Sequence, residues 1–169
     1  MSVELIREAT SADQATIAQL VSESNKDVAI RFGLNATNCP KHPSFCTPAW
    51  VEADFARGER YFILEHESVP VACVAYERPT AELAYLNRLS VLPAFRRRGI
   101  GARLVEFIIR QAQTDAAKTI SIGVIGDHVG LQAWYAKLGF VPGENKRFAH
   151  LPFSVTYMSF VVHGVPAFS

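Results

Sequence analysis

The order of the predicted elements indicates an α/β fold, with a mixed but mostly antiparallel central sheet flanked by helices. Two observations predict it. The middle of the chain contains three successive apolar, strand-like segments joined by short turns, as in an antiparallel meander. A strand–helix–strand unit then runs from Leu83 to Ile125, and such a unit forms a right-handed crossover between parallel strands. The 169 residues are enough for one domain, which we expect to span positions 1–169.

The first third of the chain is predicted to form a strand followed by helices. Positions 3–9 alternate roughly between apolar and polar residues, as a strand does. Ile17, Leu20 and Val21 then lie at helical spacing. An irregular, proline-rich loop follows, and Pro48 stands where a further helix favours its first turn.

The rest of the chain alternates strands with helices. A hairpin turn is predicted at Glu67 and Ser68, and Pro93 ends the third strand of the meander because proline cannot donate to a sheet ladder. Helices are predicted at 99–114 and 127–139, the second capped by Asp127 and ended by Gly139. Two final strands are predicted in the segments FVPGENKRF and VTYMSFVV.

Composition and charge disfavour several classes of protein. The net charge is +1, so there is no global attraction to nucleic acid or to a membrane surface. The sequence has no run of eighteen apolar residues, and its first ten residues lack the pattern of a signal peptide. Its three cysteines form no CxxC pair, which predicts reduced thiols and no metal site. We therefore expect a cytoplasmic protein without a nucleic-acid or membrane partner.

The segment SVLPAFRRRGIGARL, at 90–104, combines an arginine triplet with two glycines at the start of a predicted helix. The first N–H groups of a helix lack internal partners, and its dipole makes that end partly positive. Glycines let an anion approach these groups, and arginines add forked donors. Taken alone, the segment fits a phosphate cradle and a solvated basic turn equally well. It is neither a P-loop, which ends in Gly-Lys-Ser/Thr, nor a dinucleotide fingerprint, which needs Gly or Ala where Leu104 stands.

With the downstream segment LQAWYAKLGF, this stretch resembles the GNAT superfamily of N-acetyltransferases. The phosphate motif of that superfamily, Arg/Gln-x-x-Gly-x-Gly/Ala, is matched by Arg96, Gly99 and Gly101. The order of strands and helices also matches, from about Ala81 to Phe140. The resemblance implies a GNAT-like sheet in which the parallel strand pair is splayed. It also implies an enzyme that uses acetyl-CoA as its acyl-donor cosubstrate.

The resemblance further implies where acetyl-CoA binds. Its pyrophosphate would lie on the loop at 96–102, where Arg97 and Arg98 add charge, and its pantetheine arm would pair with the backbone of the preceding strand. A bulge in that strand, which we place at 87–89, would free backbone N–H groups to polarise the acetyl carbonyl. The cofactor-binding residues implied in this way are Leu89, Ser90, Val91, Arg96, Arg97, Arg98, Gly99, Ile100, Gly101 and Ala102.

Tyr135 is the candidate catalytic residue. In the family, a tyrosine at this position lies near the CoA sulfur, and its phenol can give a proton to the leaving thiolate. By residue pattern alone it fits a core aromatic, since it shares a helical stripe with Leu131, Trp134 and Leu138. His128 stands where family members often carry asparagine. It either contacts the cofactor through a ring nitrogen or simply begins the helix.

The acceptor amine is expected to bind between the early helices and the loop that joins the last two strands. No general base is identified. Glu77, Glu82, Tyr85 and Asn87 lie in or near the strands on that side, but each fits a structural role, and a water chain or an already neutral amine would also serve. Residues that would line a partly apolar pocket are His42, Phe45, Trp50, Phe148, His150 and Phe153.

The sequence therefore predicts an acetyl-CoA-dependent N-acetyltransferase that moves the acetyl group directly to the amine of a small molecule or peptide within a ternary complex. The alternative is a non-catalytic acyl-CoA-binding or sensing module, because His128 replaces asparagine and no base is evident. A nucleic-acid-binding domain is disfavoured by the near-neutral charge. The last strand, VTYMSFVV, fits a homodimer interface and a core strand equally well.

Overall fold

The computed structural model describes residues 3–164, which form seven strands and five α-helices. In chain order these are β1 (Glu4–Glu8), α1 (Gln14–Ser24), α2 (Lys26–Arg31), α3 (Pro48–Ala56), β2 (Arg60–His66), β3 (Val69–Glu77), β4 (Leu83–Val91), α4 (Ile100–Thr114), β5 (Thr119–Ile125), α5 (Val129–Lys137), β6 (Val141–Arg147) and β7 (Ser154–Val161).

The strands form one sheet in the order β1-β2-β3-β4-β5-β7-β6. The pair β4–β5 is parallel, whereas β1–β2, β2–β3, β5–β7 and β6–β7 are antiparallel. The structure thus confirms the predicted α/β fold with a mixed, mostly antiparallel sheet. The parallel pairing extends over three residue pairs, from Leu83–Thr119 to Tyr85–Ser121, although the two strands have nine and seven residues. This short pairing agrees with the splayed pair that the resemblance implied.

The internal contacts of the chain group it into two compact units. The first contains the chain up to Glu77 together with Asn87–Val105, and the second contains Arg78–Leu86 and the chain from Glu106 onward. β4 and α4 therefore contribute residues to both units. A single domain over 1–169 stays a prediction, and positions 1–2 and 165–169 lie outside the described residues.

The first unit is built on the β1–β2–β3 meander. Glu67 and Ser68 take left-handed φ values of 49° and 69° between β2 and β3, which confirms the predicted hairpin and is typical of its type I′ turn. Helices α1 and α3 contribute to the core of this unit, which also buries two of the cysteines. Its buried residues are Ala9, Ile17, Ala18, Leu20, Val21, Cys46, Val51, Tyr61, Ile63, Cys73 and Ala75.

The 3₁₀ turn Ser11–Asp13, which leads into α1, is fixed by a reciprocal cap. The Oγ1 atom of Thr10 accepts a hydrogen bond from the Ala12 N–H at 3.3 Å, and the Asp13 carboxylate accepts one from the Thr10 N–H at 2.8 Å. The guanidinium of Arg7, on β1, pairs with both oxygens of Asp13 at 2.9 Å. The cap therefore also ties the start of the helix to the first strand.

The second unit is built on β5, β7 and β6. β7 is hydrogen-bonded on both sides, to β5 and to β6, so it is an internal strand and not an edge available to a second copy. After α5, Gly139 takes a φ of +103°, and a Cβ there would lie 2.9 Å from the Phe160 ring. Both the positive φ and the lack of room for a Cβ require glycine at this position, so the predicted helix stop is confirmed.

The predicted cap of α5 is wrong by one residue. The helix begins at Val129, and its N-cap is His128, whose Nδ1 atom accepts a hydrogen bond from the Leu131 N–H at 3.4 Å. A cap reaches the N–H three residues later, and from this helix start that geometry belongs to His128 and not to Asp127.

Within residues 3–164, no helix has the length and apolarity to cross a membrane; the longest described, α4, has 15 residues. The same residues hold no group of three His, Cys, Asp or Glu side chains arranged to bind a metal ion. Cys39, Cys46 and Cys73 are free and buried.

Candidate functional site

The arginine–glycine loop lies between β4 and α4, where the sequence predicted it. Arg97 and Gly99 both take left-handed conformations, with φ values of 63° and 78°, so the chain turns sharply into the helix. The Arg103 N–H donates to the Gly99 carbonyl at 3.1 Å, which leaves the N–H groups of the first helical turn without intrahelical partners. A Cβ added at Gly99 would meet no atom within 4 Å. The start of α4 is thus open and partly positive, and it fits an anionic group such as a phosphate.

Arg96 makes its contacts within the protein. Its Nε atom donates to the Val91 carbonyl at 3.2 Å and its Nη2 atom to the Ser24 carbonyl at 2.5 Å. Its Nη1 and Nη2 atoms donate to the Asp27 carboxylate at 2.7 and 3.3 Å, and this pairing lowers the pKa of Asp27. Arg96 therefore ties the loop to the end of β4, to α1 and to α2. No sequence signal linked it to Asp27, which lies 69 residues earlier.

The other two arginines of the triplet are exposed. The Cζ atom of Arg98 lies 5.1 Å from the centre of the Phe95 ring, and that ring lies 5.6 Å from the ring of His66. Arg97 stands between Arg96 and Arg98 at a left-handed position. An anion at the start of α4 would therefore meet the charges of Arg97 and Arg98 more readily than that of Arg96.

The second half of β4 contains the backbone irregularity. Arg88 has a φ of +51°, and it falls within the segment 87–89 in which we placed a bulge. The Ser90 hydroxyl is buried, donates to the Arg88 carbonyl at 3.0 Å and accepts from the Asn25 side chain at 3.4 Å. Leu89 and Val91 are half-buried on either side. The left-handed residue immediately precedes the stretch that the resemblance assigned to the pantetheine arm.

A polar cluster that no local sequence pattern indicates lies next to this irregularity. We call it the carboxylate cluster; Asp54, Glu59 and Tyr61 are buried, Asn87 and Arg88 are half-buried, and Arg57 is exposed. Asp54 accepts hydrogen bonds from Tyr61 at 2.6 Å, from Arg57 at 3.1 Å and from Arg88 at 3.2 Å. Glu59 accepts from Arg57 at 2.6 Å and from Asn87 at 3.0 Å. Its members come from α3, from β2 and the turn before it, and from β4, so no local pattern could reveal it.

Burial is the largest cause of the raised pKa values of two members of the cluster, Glu59 and Tyr61. It raises the pKa of Glu59, although the hydrogen bond from Asn87 and the charge of Arg57 act in the opposite direction. Burial likewise raises the pKa of the Tyr61 phenol, assisted by its hydrogen bond to Asp54. At Glu59, burial together with the negative charges of Asp54 and Glu77 therefore outweighs pairing.

Three of the four residues considered as a general base have other partners. Glu77 accepts from the Arg57 Nε atom at 3.2 Å, and Asn87 donates to Glu59. Glu82 is exposed and pairs with Lys118 at 3.1 Å. Tyr85 is half-buried on β4. The first three contacts are structural, and we assign none of the four as a base.

In the second unit, Tyr135 is 5 % exposed and lies in a row of aromatic rings. Its ring meets Trp134 edge-on at 4.9 Å and Phe140 at 5.4 Å, and Phe140 lies 5.3 Å from Phe160. This is the packing of a core aromatic residue. Burial also raises the pKa of the phenol, so the hydroxyl keeps its proton at neutral pH and can act as a donor.

The predicted acceptor residues fall into two groups, which we describe separately. In the first unit, His42 is buried and its Nδ1 atom accepts from the Ser44 N–H at 3.2 Å, while Phe45 is half-buried. The Trp50 ring lies 5.6 Å from the Lys41 Nζ atom and 5.7 Å from the Arg88 Cζ atom.

In the second unit, His150 is exposed and its ring lies 5.7 Å from the ring of Phe148. Phe148 and Phe153 are half-buried. The two phenylalanines are thus neither fully core nor fully solvated.

Similar proteins were found by family and by structure. The model of the acetyltransferase (GNAT) family matches residues 30–140. The structure of the ribosomal-protein-S18-alanine N-acetyltransferase from Escherichia coli aligns with a TM-score of 0.77 and 15 % identity, over 98 % of this chain and 97 % of that one. PaiA N-acetyltransferase from Thermoplasma acidophilum, in complex with coenzyme A, aligns with a TM-score of 0.79 and 15 % identity, over 94 % and 99 %.

A third structure, the putative acetyltransferase yncA from Salmonella typhimurium with acetyl-CoA, aligns with a TM-score of 0.68 and 18 % identity, over 97 % of this chain and 96 % of that one. No curated protein matches the chain by sequence. At these identities the structural likenesses establish the fold, and the family rests on the sequence match over most of the chain. The chain belongs to the GNAT family of acetyltransferases, whose acyl donor is acetyl-CoA.

Proposed function

We propose that this acetyltransferase moves the acetyl group of acetyl-CoA directly to an amine of a small molecule or peptide, with both substrates bound at once. Family membership confirms the enzyme class and the acyl donor that the sequence predicted. The observation that carries the proposal is the open start of α4, where Gly99 is left-handed and faces empty space beside two exposed arginines. Such a helix start provides N–H groups and positive charge for a pyrophosphate.

The proposed cofactor contacts follow from this geometry. The backbone N–H groups between Arg97 and Ala102 would hold the pyrophosphate, and Arg97 and Arg98 would add charge. Arg96 would keep the loop in place through Asp27, while the backbone of 89–91 would hold the pantetheine arm. His128, whose Nδ1 atom caps α5, is proposed as a further cofactor contact.

Tyr135 is proposed as the acid. Bound acetyl-CoA would supply the thioester: the amine nitrogen would bond to the acetyl carbon, the carbon–sulfur bond would break, and the proton lost by the amine would balance the one that the thiolate gains. The raised pKa of Tyr135 keeps its hydroxyl protonated at neutral pH, so it would donate a hydrogen bond to the departing sulfur, and any proton that it passes on would be replaced by the one from the amine. Holding the two reactants together lowers the barrier without a covalent intermediate on the protein.

The acceptor remains the broad class of small-molecule and peptide amines, because fold does not determine the substrate. A cytoplasmic location is proposed on the three free, buried thiols, which suit a reducing compartment.

The test is a thiol-release assay with acetyl-CoA against amino acids, polyamines, aminoglycosides and peptides with free N-termini. At least one class should release CoA in step with the appearance of its N-acetyl product. Binding of acetyl-CoA without turnover across the whole panel would support the acyl-CoA-binding or sensing module instead. A salt-dependent shift with RNA or DNA and no response to CoA would contradict both.

Replacing Tyr135 by Phe tests its role within the same assay. The variant should turn over about a hundredfold more slowly while it still binds acetyl-CoA, because general acids contribute about 10²–10⁴-fold. Tyr157→Phe, on β7, is the matched control and should keep the wild-type rate. An unchanged rate in Tyr135→Phe would remove this residue from the mechanism.

A further inference from the structure

We propose that the buried carboxylates Asp54 and Glu59 are positioning residues, which hold the left-handed step of β4 and thereby present the backbone at 89–91 to the acyl donor. The last part of that statement, that the backbone at 89–91 meets the acyl donor, rests on the proposed function. The first part, the anchoring of β4, rests on the contacts alone.

The step needs anchoring because it occurs at a residue with a side chain. Arg88 has a φ of +51°, a conformation that residues with a Cβ adopt at a cost in energy. Such a conformation persists only where the surroundings over-determine it. Glycine would take it freely, but this chain has arginine here, so other contacts must supply the constraint.

Asp54 supplies the first anchor. It accepts from the Arg88 Nε atom at 3.2 Å, and it is itself fixed by the Tyr61 hydroxyl at 2.6 Å and by Arg57 at 3.1 Å. The Asp54 side chain is 5 % exposed. A carboxylate with three donors and little access to water has few alternative positions, so it can hold the Arg88 side chain in one place.

Glu59 supplies the second anchor, at the preceding residue. It accepts from the Asn87 side chain at 3.0 Å and from the Arg57 Nη2 atom at 2.6 Å. The same Nη2 atom donates to Asp54, so one guanidinium joins the two carboxylates. Asn87 and Arg88, which are consecutive on β4, are thus each held by one carboxylate. Arg57 connects the two carboxylates.

Contacts on the following residues extend this constraint. The Ser90 hydroxyl donates to the Arg88 carbonyl at 3.0 Å, and the Leu92 N–H donates to the Val71 carbonyl on β3 at 3.0 Å. The stretch 89–91 therefore lies between a fixed step and a fixed end, which gives it one backbone conformation to offer a ligand.

The existing hydrogen bonds of the two carboxylates decide their role. The side chains of Asp54 and Glu59 are 5 % and 1 % exposed, and each already accepts two or more hydrogen bonds from neighbouring side chains, so neither is available to take a proton from an amine. They are not candidates for the general base. Any effect on the reaction must pass through Asn87, Arg88 and the backbone that follows.

The test compares Asp54→Asn and Glu59→Gln with the matched control Glu8→Gln, which neutralises the exposed partner of Arg60 on β1 and β2. Both cluster variants should lower kcat by about tenfold to a hundredfold, because small displacements in positioned groups cost rates of this order. The affinity for ADP, which carries a pyrophosphate but no pantetheine arm, should stay within about threefold, since the loop at 96–102 is unchanged. The control should match the wild type in both.

A rescue separates positioning from general destabilisation. Glycine takes a left-handed φ without a side-chain anchor, so Asp54→Asn combined with Arg88→Gly should recover most of the kcat lost by Asp54→Asn. The double variant also leaves no unpaired charge at the site. A double variant no faster than Asp54→Asn, at equal thermal stability, would overturn the inference.

Amide hydrogen exchange of residues 87–91 gives a readout that does not require turnover. Exchange there should accelerate by about tenfold or more in Asp54→Asn and Glu59→Gln, and not in Glu8→Gln. If exchange accelerates but the wild type acetylates no amine, the proposed function fails and the anchoring survives. Unchanged exchange in both cluster variants would overturn the anchoring itself.

Discussion

Glu59 shows how burial sets the behaviour of a single ionisable group. Its folded-state pKa is raised above the usual value of 4.5, so the folded protein holds this proton more tightly than the unfolded chain does. The stabilising contribution of that proton is complete below about pH 4.5 and is lost as the pH rises through the raised pKa.

Glu59→Gln removes this titration. We therefore expect the unfolding free energy of the wild type, minus that of Glu59→Gln, to fall as the pH increases from 4 to 8. Urea unfolding at a series of pH values measures the difference. A difference that grows with pH would show that pairing with Arg57 outweighs desolvation.

Substitution of Gly99 allows the effect of backbone strain on stability to be measured separately from the effect on acetyl-CoA binding. Alanine at a left-handed position costs about 1–2 kcal/mol, so Gly99→Ala should lose about that much stability and should weaken acetyl-CoA binding about tenfold by disturbing the loop. Gly33→Ala is the matched control, because Gly33 has a φ of +64° and also has no atom within 4 Å of a Cβ. It should lose similar stability, by urea unfolding, and keep wild-type affinity, by calorimetry. Equal losses of affinity would argue against the loop as the phosphate site.

Among the elements, the capped 3₁₀ turn before α1 carries a measurable share of stability. Asp13 accepts from the Thr10 N–H and pairs with Arg7, so Asp13→Ala should cost about 1–2 kcal/mol, the range for loss of a helix cap. Urea unfolding at neutral pH checks this. Glu106→Ala is the control, since its pairing with Arg110 at 3.8 Å is exposed and should contribute less than about 1 kcal/mol. A loss no greater than that of the control would mean that the cap is dispensable.

The elements were also the part of the fold that the sequence predicted best. Their patterns are local: apolar residues at 100, 104, 105, 108 and 112 all lie buried along α4, and the hairpin at Glu67 and Ser68 is set by two adjacent residues. The cap of α5 was misplaced because Asp127 and His128 are adjacent and both can cap, and only the exact helix start decides between them.

The site was predictable only where a motif is continuous in sequence. The loop at 96–102 could be located, but the partners of Arg96 could not, because Asp27 is distant along the chain. The carboxylate cluster was missed for the same reason: Asp54 and Arg88 are 34 residues apart, and each alone resembles an ordinary surface charge. Contacts of this kind follow from the assembled sheet and not from any local pattern.

For the whole molecule, ligand binding should appear as increased stability. A ligand that binds only the folded state at about a hundred times its Kd adds about 2.7 kcal/mol, so acetyl-CoA at that excess should raise the Tm by several degrees. Differential scanning calorimetry over a concentration series measures the shift. Gly99→Ala should show a smaller shift than Gly33→Ala at equal ligand concentration. An absent shift in the wild type would contradict acetyl-CoA as the donor.

One of the two edge strands of the sheet, β6, affects how the protein behaves at high concentration. All seven of its residues are exposed, Pro142 has no N–H to offer, and its register with β7 shifts between Pro142 and Asn145. Glu144, Lys146 and Arg147 add charges of both signs along the same strand. A proline, an irregular register and charged side chains are the devices that prevent strand-by-strand stacking at a sheet edge. This edge therefore resists growth into fibrils even when the protein is crowded.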